Sequence, residues 1–245
     1  MPPPDVPPPD VPPPDVPPPL EPPGCLGVAL ELDGATYASV QRLVDNDLTL
    51  EAWIRTTQSL PGVNAGMGRI VFDGDIVGMG DNDDFAATVV SDTFGFAVGN
   101  PNTSVLGLVP VTTGAWVHVA ATRQAGNGAV QIIINGELQG AGAASNRNPL
   151  VARPDLAFGG FSTMRKFIGT IDEIKVWNIV RSVEQISANM RRRPDPAEAG
   201  LVGYYSFEDQ GPQQTADGSS FANTAALTGN PVYVPSSALC NPPAP

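Results

Sequence analysis

The sequence predicts an all-β fold, two antiparallel sheets packed face to face with one short helix, and three observations carry that prediction. Residues 116–140 read as three consecutive strands. Short apolar runs separated by Gly, Asn, Asp and Pro recur from about residue 24 to residue 240. Only one stretch has helical periodicity. Many short strands beside a single helix are the pattern of a sandwich.

The central stretch shows why. Trp116, His118, Ala120 and Thr122 fall on one face, and Val117, Val119 and Ala121 on the other. After the turn Gly126-Asn127-Gly128 comes the run Val130 to Ile134, and Asn135-Gly136 then reverses the chain into Glu137-Leu138-Gln139. Asn-Gly between β-branched runs marks a tight hairpin, because a type I′ turn needs φ > 0 at both central positions. Further strands are predicted at 28–32, 37–40, 48–55, 69–72, 85–90, 94–98, 155–158, 167–177 and 201–207. Residues 48–55 alternate, with Leu48, Leu50, Ala52 and Ile54 facing one way and Glu51, Trp53 and Arg55 the other. The run 167–177 loses that phase between Ile171 and Ile174, which predicts a bulge near Asp172-Glu173. Ser182 and Gln185 form a capping-box pattern, followed by Val183, Ile186 and Met190 at helical spacing. Arg191, Arg192 and Arg193 are expected in the last turn, where cations complement the helix dipole, and Pro194 stops the helix.

The bulk properties bound the partners. A net charge of −12 argues against nucleic acid or an anionic membrane recruited by a global field. No apolar run has the length of a membrane span, and no basic-then-apolar leader is present, so any export signal is expected outside this chain. Residues 2–23 repeat Val-Pro-Pro-Pro-Asp. Proline fixes φ and removes the backbone donor, so residues 1–23 are expected to be a polyproline II linker reaching about 70 Å when extended. The domain is expected over 24–240, with 241–245 resuming the Pro-rich composition. Such bracketing fits one module of a larger chain. Cys25 and Cys240 sit just inside its ends. Paired, they imply an oxidising compartment and contribute up to about 5 kcal/mol by chain entropy; two unrelated thiols are the other reading.

Five stretches in order resemble the laminin-G-like branch of the concanavalin A-like jelly rolls, including bacterial LamG-like and pentraxin-like modules. They are Leu48-Thr49-Leu50-Glu51-Ala52-Trp53-Ile54, Trp116-Val117-His118-Val119-Ala120, Ile134-Asn135-Gly136-Glu137-Leu138, Gly169 to Trp177 running on into Ser182, and Gly203 to Glu208 with the loop Ala216-Asp217-Gly218-Ser219-Ser220. The resemblance covers nearly all of 25–240 and implies a two-sheet jelly-roll sandwich. Similar modules often hold calcium at a sandwich edge, and hard cations take oxygen ligands from carboxylates and carbonyls. The matching positions are Asp33 and Asp172, with Asp217 as a third ligand. Turn capping by Asp33 and backbone bonding by Asp172 are the structural alternatives. A second acidic cluster offers Asp81 and Asp83 as calcium ligands ranked below that set, since it lacks the Gly and Glu that an EF-hand requires.

Catalytic patterns are missing from the sequence. The glycosidases of this superfamily carry Glu-x-Asp-x-x-Glu on one strand, because one carboxyl must protonate the leaving oxygen while another attacks or activates water. That pattern does not occur here, nor does Gly-x-Ser-x-Gly, and His118 is the single histidine, expected in the core. For carbohydrate, Phe161 beside Arg165 and Lys166 is the candidate rim. The resemblance therefore implies a non-catalytic extracellular recognition module for glycan or protein at the cell surface, with calcium as a structural cofactor. A spacer without a ligand, or an accessory domain of a larger secreted hydrolase, are the alternatives.

Overall fold

The computed structural model describes residues 27–75, 82–161 and 164–240; the Pro-rich repeat, the Pro-rich tail, Cys25 and Asp81 lie outside them. Among the described residues sixteen strands form two sheets. The first sheet runs β10 (Glu137–Ala143), β9 (Ala129–Ile134), β8 (Val117–Gln124), β3 (Leu48–Arg55), β12 (Ile168–Trp177), β1 (Gly27–Asp33) and β16 (Val232–Ser236), with β13 (Leu201–Tyr205) also on β12. The second runs β14 (Gln214–Thr215), β15 (Ala225–Thr228), β2 (Tyr37–Gln41), β11 (Asp155–Phe158), β4 (Arg69–Asp73), β5 (Phe85–Val90), β6 (Thr93–Val98) and β7 (Thr103–Leu106). All pairings between these strands are antiparallel, as a jelly-roll sandwich requires.

The alternation read in residues 48–55 sets the core. Leu48, Leu50, Ala52 and Ile54 join Val119, Ala121, Ile132, Ile171 and Ile174 from the first sheet. They meet Phe72, Phe85, Phe94, Phe96 and Phe158 from the second. Burial of each such large side chain contributes roughly 1.5–3 kcal/mol.

The expected bulge is present. Asp172 is registered opposite Trp53 and Lys175 opposite Glu51, so three steps on β12 face two on β3, and Glu173 takes φ +51°. It lies where β12 changes its second partner from β1 to β13. The extra residue returns Ile174 and Val176 to the core side and leaves Lys175 and Trp177 on the outer face.

That outer face is covered as well. Helix α1 (Val183–Asn189) begins with the expected capping box: Gln185 N donates to Ser182 Oγ (3.2 Å) and Ser182 N to Gln185 Oε1 (2.9 Å). Ile186 packs on Ala120 and Ile133, and Met190 and Ala238 pack on Trp53 and Trp116. The helix is shorter than expected. It ends at Asn189, capped by Met190, so Arg191–Arg193 follow it rather than forming its last turn. Lys175 supplies the cation there instead, donating to Asn189 O (3.0 Å), and Trp53 Nε1 donates to Met190 O (2.9 Å). Arg191 stacks over Trp53 (5.0 Å), and Arg193 pairs with Glu208 (2.7 Å). His118 is a core residue of this layer, 3.3 Å from Glu51, whose other oxygen accepts from Trp177 Nε1 (2.7 Å).

A rim of aromatic and cationic side chains on the second sheet

On the outer face of the second sheet, Ser39, Ala157, Asp73, Ala86 and Ala97 follow one another across adjacent strands. Small side chains leave room above them, and the loop after β11 folds into it. Gly159 and Gly160 have φ of +94° and +90°, a region side chains rarely adopt, and they turn the chain back over β4. Gly159 N donates to Val71 O (2.9 Å) and Ile70 N to Arg165 O (2.7 Å), which ties the loop down. Phe161 N then reaches Asp73 Oδ2 (2.6 Å), while Asp75 N donates to Asp73 Oδ1 (3.0 Å). Burial pushes the Asp73 carboxyl above its ordinary range, although these two donors oppose the shift.

Phe161 stands at the centre of a continuous stack. Arg153 lies over its ring with Cζ 3.9 Å from the centroid, and Tyr37 meets it edge-on at 5.7 Å. Lys166 Nζ sits 4.7 Å from the Tyr37 centroid and donates to Ala35 O (3.0 Å). Arg165 pairs with Asp75 at 3.2 Å. The two ligand candidates, Phe161 and Arg165, are therefore on one rim, joined by Tyr37 and Arg153. The Arg153 contact escaped sequence reasoning, since nothing local marks a pairing across the strand β11.

The rim continues into the second acidic cluster. Ala152 N donates to Asp83 O (3.0 Å), one residue before Arg153. Asp83 Oδ1 accepts from the amides of Asn100 (2.9 Å), Asn146 (3.0 Å) and Asn148 (3.3 Å). The Asn100 amide is the chief reason its carboxyl titrates below the usual range. Two arginines fix the surrounding loops. Fully buried Arg123 donates to the carbonyls of Asn46 (2.7 Å), Asn146 (3.2 Å) and Asn148 (2.8 Å). Arg42 donates to Val44 O (2.9 Å), Arg153 O (2.6 Å) and Leu150 O.

The first-ranked carboxylates are not brought together. Asp33 is registered with Ile168, four residues before Asp172 on β12, a separation of about 13 Å along a strand. Asp33 Oδ1 accepts from Ala35 N (2.8 Å) and Thr36 N (2.7 Å), which closes a turn and lowers its pKa. Asp217 holds the loop after β14, accepting from Tyr204 N (2.8 Å), Ser219 N (2.8 Å), Ser219 Oγ (2.7 Å) and Asn223 N (2.9 Å). Asp172 is buried in the bulge, accepting from Glu173 N (2.7 Å) and from Ser236 Oγ. Among the described residues no three His, Cys, Asp or Glu side chains converge on a metal position. Asp83 differs in its neighbours, since its Oδ1 faces three side-chain amide nitrogens rather than backbone N–H groups. Asn146 is committed, since it also bonds Gly99 O (2.7 Å) and Asn148 N (2.8 Å), whereas Asn100 and Asn148 can present oxygen by turning their amides.

The two antiparallel sheets define a class, the concanavalin A-like jelly roll. The profile of a laminin-G-type family, described as the concanavalin A-like lectin/glucanases superfamily, matches residues 32–187, and the chain belongs to it. No curated protein matches the sequence. Among solved structures, a Bacteroides ovatus protein assigned to carbohydrate binding superposes with a TM-score of 0.67 at 21% identity. The match covers 85% of this chain and 60% of that one, so the chain spans less than two thirds of that protein. The CBM40 module of a Ruminococcus gnavus sialidase, bound to α2,3-sialyllactose, gives 0.52 at 14% identity, covering 66% of this chain and 96% of that one. Domains LG4-5 of the mouse laminin α1 chain give 0.50 at 14%, covering 64% and 44%. At these identities the likeness is one of fold. Among the described residues no helix is long and apolar enough to cross a membrane.

The buried bulge makes a pH-dependent prediction. Burial, then the neighbouring Glu173, raises Asp172 from 3.8 to about 8. Between those values the unfolded chain has released a proton that the folded chain keeps, so this group's contribution falls as pH rises from about 4 to about 8. His118 works the other way, since burial depresses its pKa, so folding gains as pH rises toward the unfolded value of 6.5 and the gain is complete above it. The comparison with Asp172→Asn isolates the carboxyl. Asparagine keeps the acceptor for Glu173 N and offers a donor to Ser236, so the variant is expected to gain on wild type between about pH 5 and pH 8 in melting temperature. Parallel curves for the two proteins would mean that Asp172 is ionised in the fold.

Proposed function

We propose that the chain is a non-catalytic recognition module that binds a glycan, outside the cell, on the rim formed by Tyr37, Phe161, Arg153 and Lys166. The single observation that carries this reading is the stack itself. Two aromatic rings flanked by two cations stand together, Phe161 on the loop tied over β4 and Tyr37 at the start of β2. Aromatic faces pack on sugar rings, and preorganised donors orient hydroxyls at little ordering cost. Asp73, the carboxyl beneath, already has both oxygens occupied by backbone N–H groups, which suits a scaffold role better than acid–base work. The fold likeness to the Bacteroides ovatus protein and to the sialidase module supports the same reading.

Calcium belongs to this proposal at Asp83, with Asn100 and Asn148 as the side chains that would hold it. Its contribution would be to neutralise the carboxylate and brace the loop that ends in Arg153. The Cys25–Cys240 disulfide is likewise proposed. Gly27 lies opposite Ser236, and in the sequence Cys25 stands two residues before the one and Cys240 four residues after the other. The pairing would suit an extracellular site.

Three measurements check these statements. Phe161→Ala is expected to weaken glycan binding by about tenfold or more in calorimetry with a hit from a glycan array, and an unchanged affinity would remove the rim from the account. Calcium at about a hundred times its Kd is expected to stabilise the fold by about 2.7 kcal/mol. That gain should vanish in Asp83→Ala and survive in Asp33→Ala; the reverse pattern returns the ion to the other edge. Intact mass before and after reduction is expected to rise by two hydrogens, and no change would leave two thiols.

A further inference from the structure

The rim carries three cations, and two of them already have acceptors. Arg165 is paired with Asp75, and Lys166 donates to Ala35 O. Arg153 is different. Its guanidinium carbon lies over the Phe161 ring, and it makes no side-chain hydrogen bond or ion pair with the described residues; its Nε is buried without an acceptor. Asp73 is close enough to feel its charge, yet both Asp73 oxygens are occupied by Phe161 N and Asp75 N. Arg153 is nevertheless held in place. Arg42 Nε donates to its carbonyl (2.6 Å), and the preceding residue is bonded to Asp83 O (3.0 Å). A guanidinium fixed at its backbone, stacked on one face and left with open donors is a preorganised fork for an oxyanion.

We propose that Arg153 recognises the carboxylate or sulfate of an acidic sugar whose ring packs beside Phe161 and Tyr37; this rests on the glycan reading above and narrows its ligand class. The overall charge narrows it further. A net charge of −12 repels a dense polyanion, whereas fields from distant exposed charges are largely screened beyond about 8 Å at physiological salt. The ligand that fits is a mostly neutral chain with an isolated acidic residue, which meets one local cation without crossing a strong repulsive field.

The test is a glycan array with uronate-, sialate- and sulfate-bearing oligosaccharides beside their neutral counterparts, probed with wild type, Arg153→Gln and Arg153→Lys, each checked for an unchanged melting temperature. Acidic glycans are expected to be the hits. Arg153→Gln should weaken them about tenfold to a hundredfold, a far larger loss than any neutral glycan suffers, and Arg153→Lys should restore only part. Uronate or sialate hits assign the carboxylate, sulfate-only hits assign the sulfate, and either supports the proposal. Neutral hits as strong as acidic ones, or acidic binding indifferent to Arg153→Gln, overturn it while the glycan reading stands. An array without hits of any class takes both down together.

Discussion

The rest of the structure depends on the first sheet being closed on both faces. Its inner face forms the main core with the second sheet, and its outer face lies under α1 and the residues after β16. That second cover is held by polar contacts with little tolerance for error. Lys175 and Trp53 reach the terminal carbonyls of the helix, while Glu51 bonds Trp177 and neighbours His118. A buried charge costs several kcal/mol unless its partners are in place, so this layer restricts where the helix can dock. The outer face of the second sheet is covered over β11 and β4 by the loop after β11, which buries Ala157 and Asp73 beneath it.

Much of the fold was legible because its local signals agree with its global arrangement. Asn135 and Gly136 take φ of +51° and +80°, the hairpin values that the dipeptide announced. The lost phase between Ile171 and Ile174 is a bulge because a strand with a buried inner side must restore its register. The capping box of Ser182 and Gln185 works over a few residues and needs no tertiary context. What stayed hidden was short or exposed. Strand β7 has four residues, β15 is half outside the core, and β16 carries Pro235, which argues against a strand except at an edge. Arg191–Arg193 resembled a helix terminus, but Lys175, distant in sequence, reaches those carbonyls first.

The site was less legible, for a physical reason. An aspartate in a loop looks like a cation ligand until its hydrogen bonds are counted. Asp33 is consumed by backbone N–H groups of its own turn, Asp217 by those of its loop and of Tyr204 on β13, and Asp172 by the bulge and Ser236. Asp83 ranked lower because its EF-hand spacing failed, yet its partners come from two other loops, through Asn100, Asn146 and Asn148. Tyr37 meets Phe161 only because β2 pairs with β11, placing Ala38 opposite Phe158. Phe161 and Arg165 could be singled out from composition; the stack that gives them a context could not.

The segment from Asn146 to Arg153 joins the two halves of the rim, and its anchoring limits what an ion at Asp83 could add. Arg123 holds the carbonyls of Asn146 and Asn148, and Arg42 holds those of Leu150 and Arg153. Both guanidiniums carry their charge at any ordinary pH, so this anchoring does not wait for a cation. Calcium would then act mainly on the free energy of the folded loop and only weakly on the posture of Arg153, because a segment ordered beforehand has little entropy left to lose on binding. Cation and sugar would thus be neighbours with modest thermodynamic coupling, since each finds its side of the rim already in position.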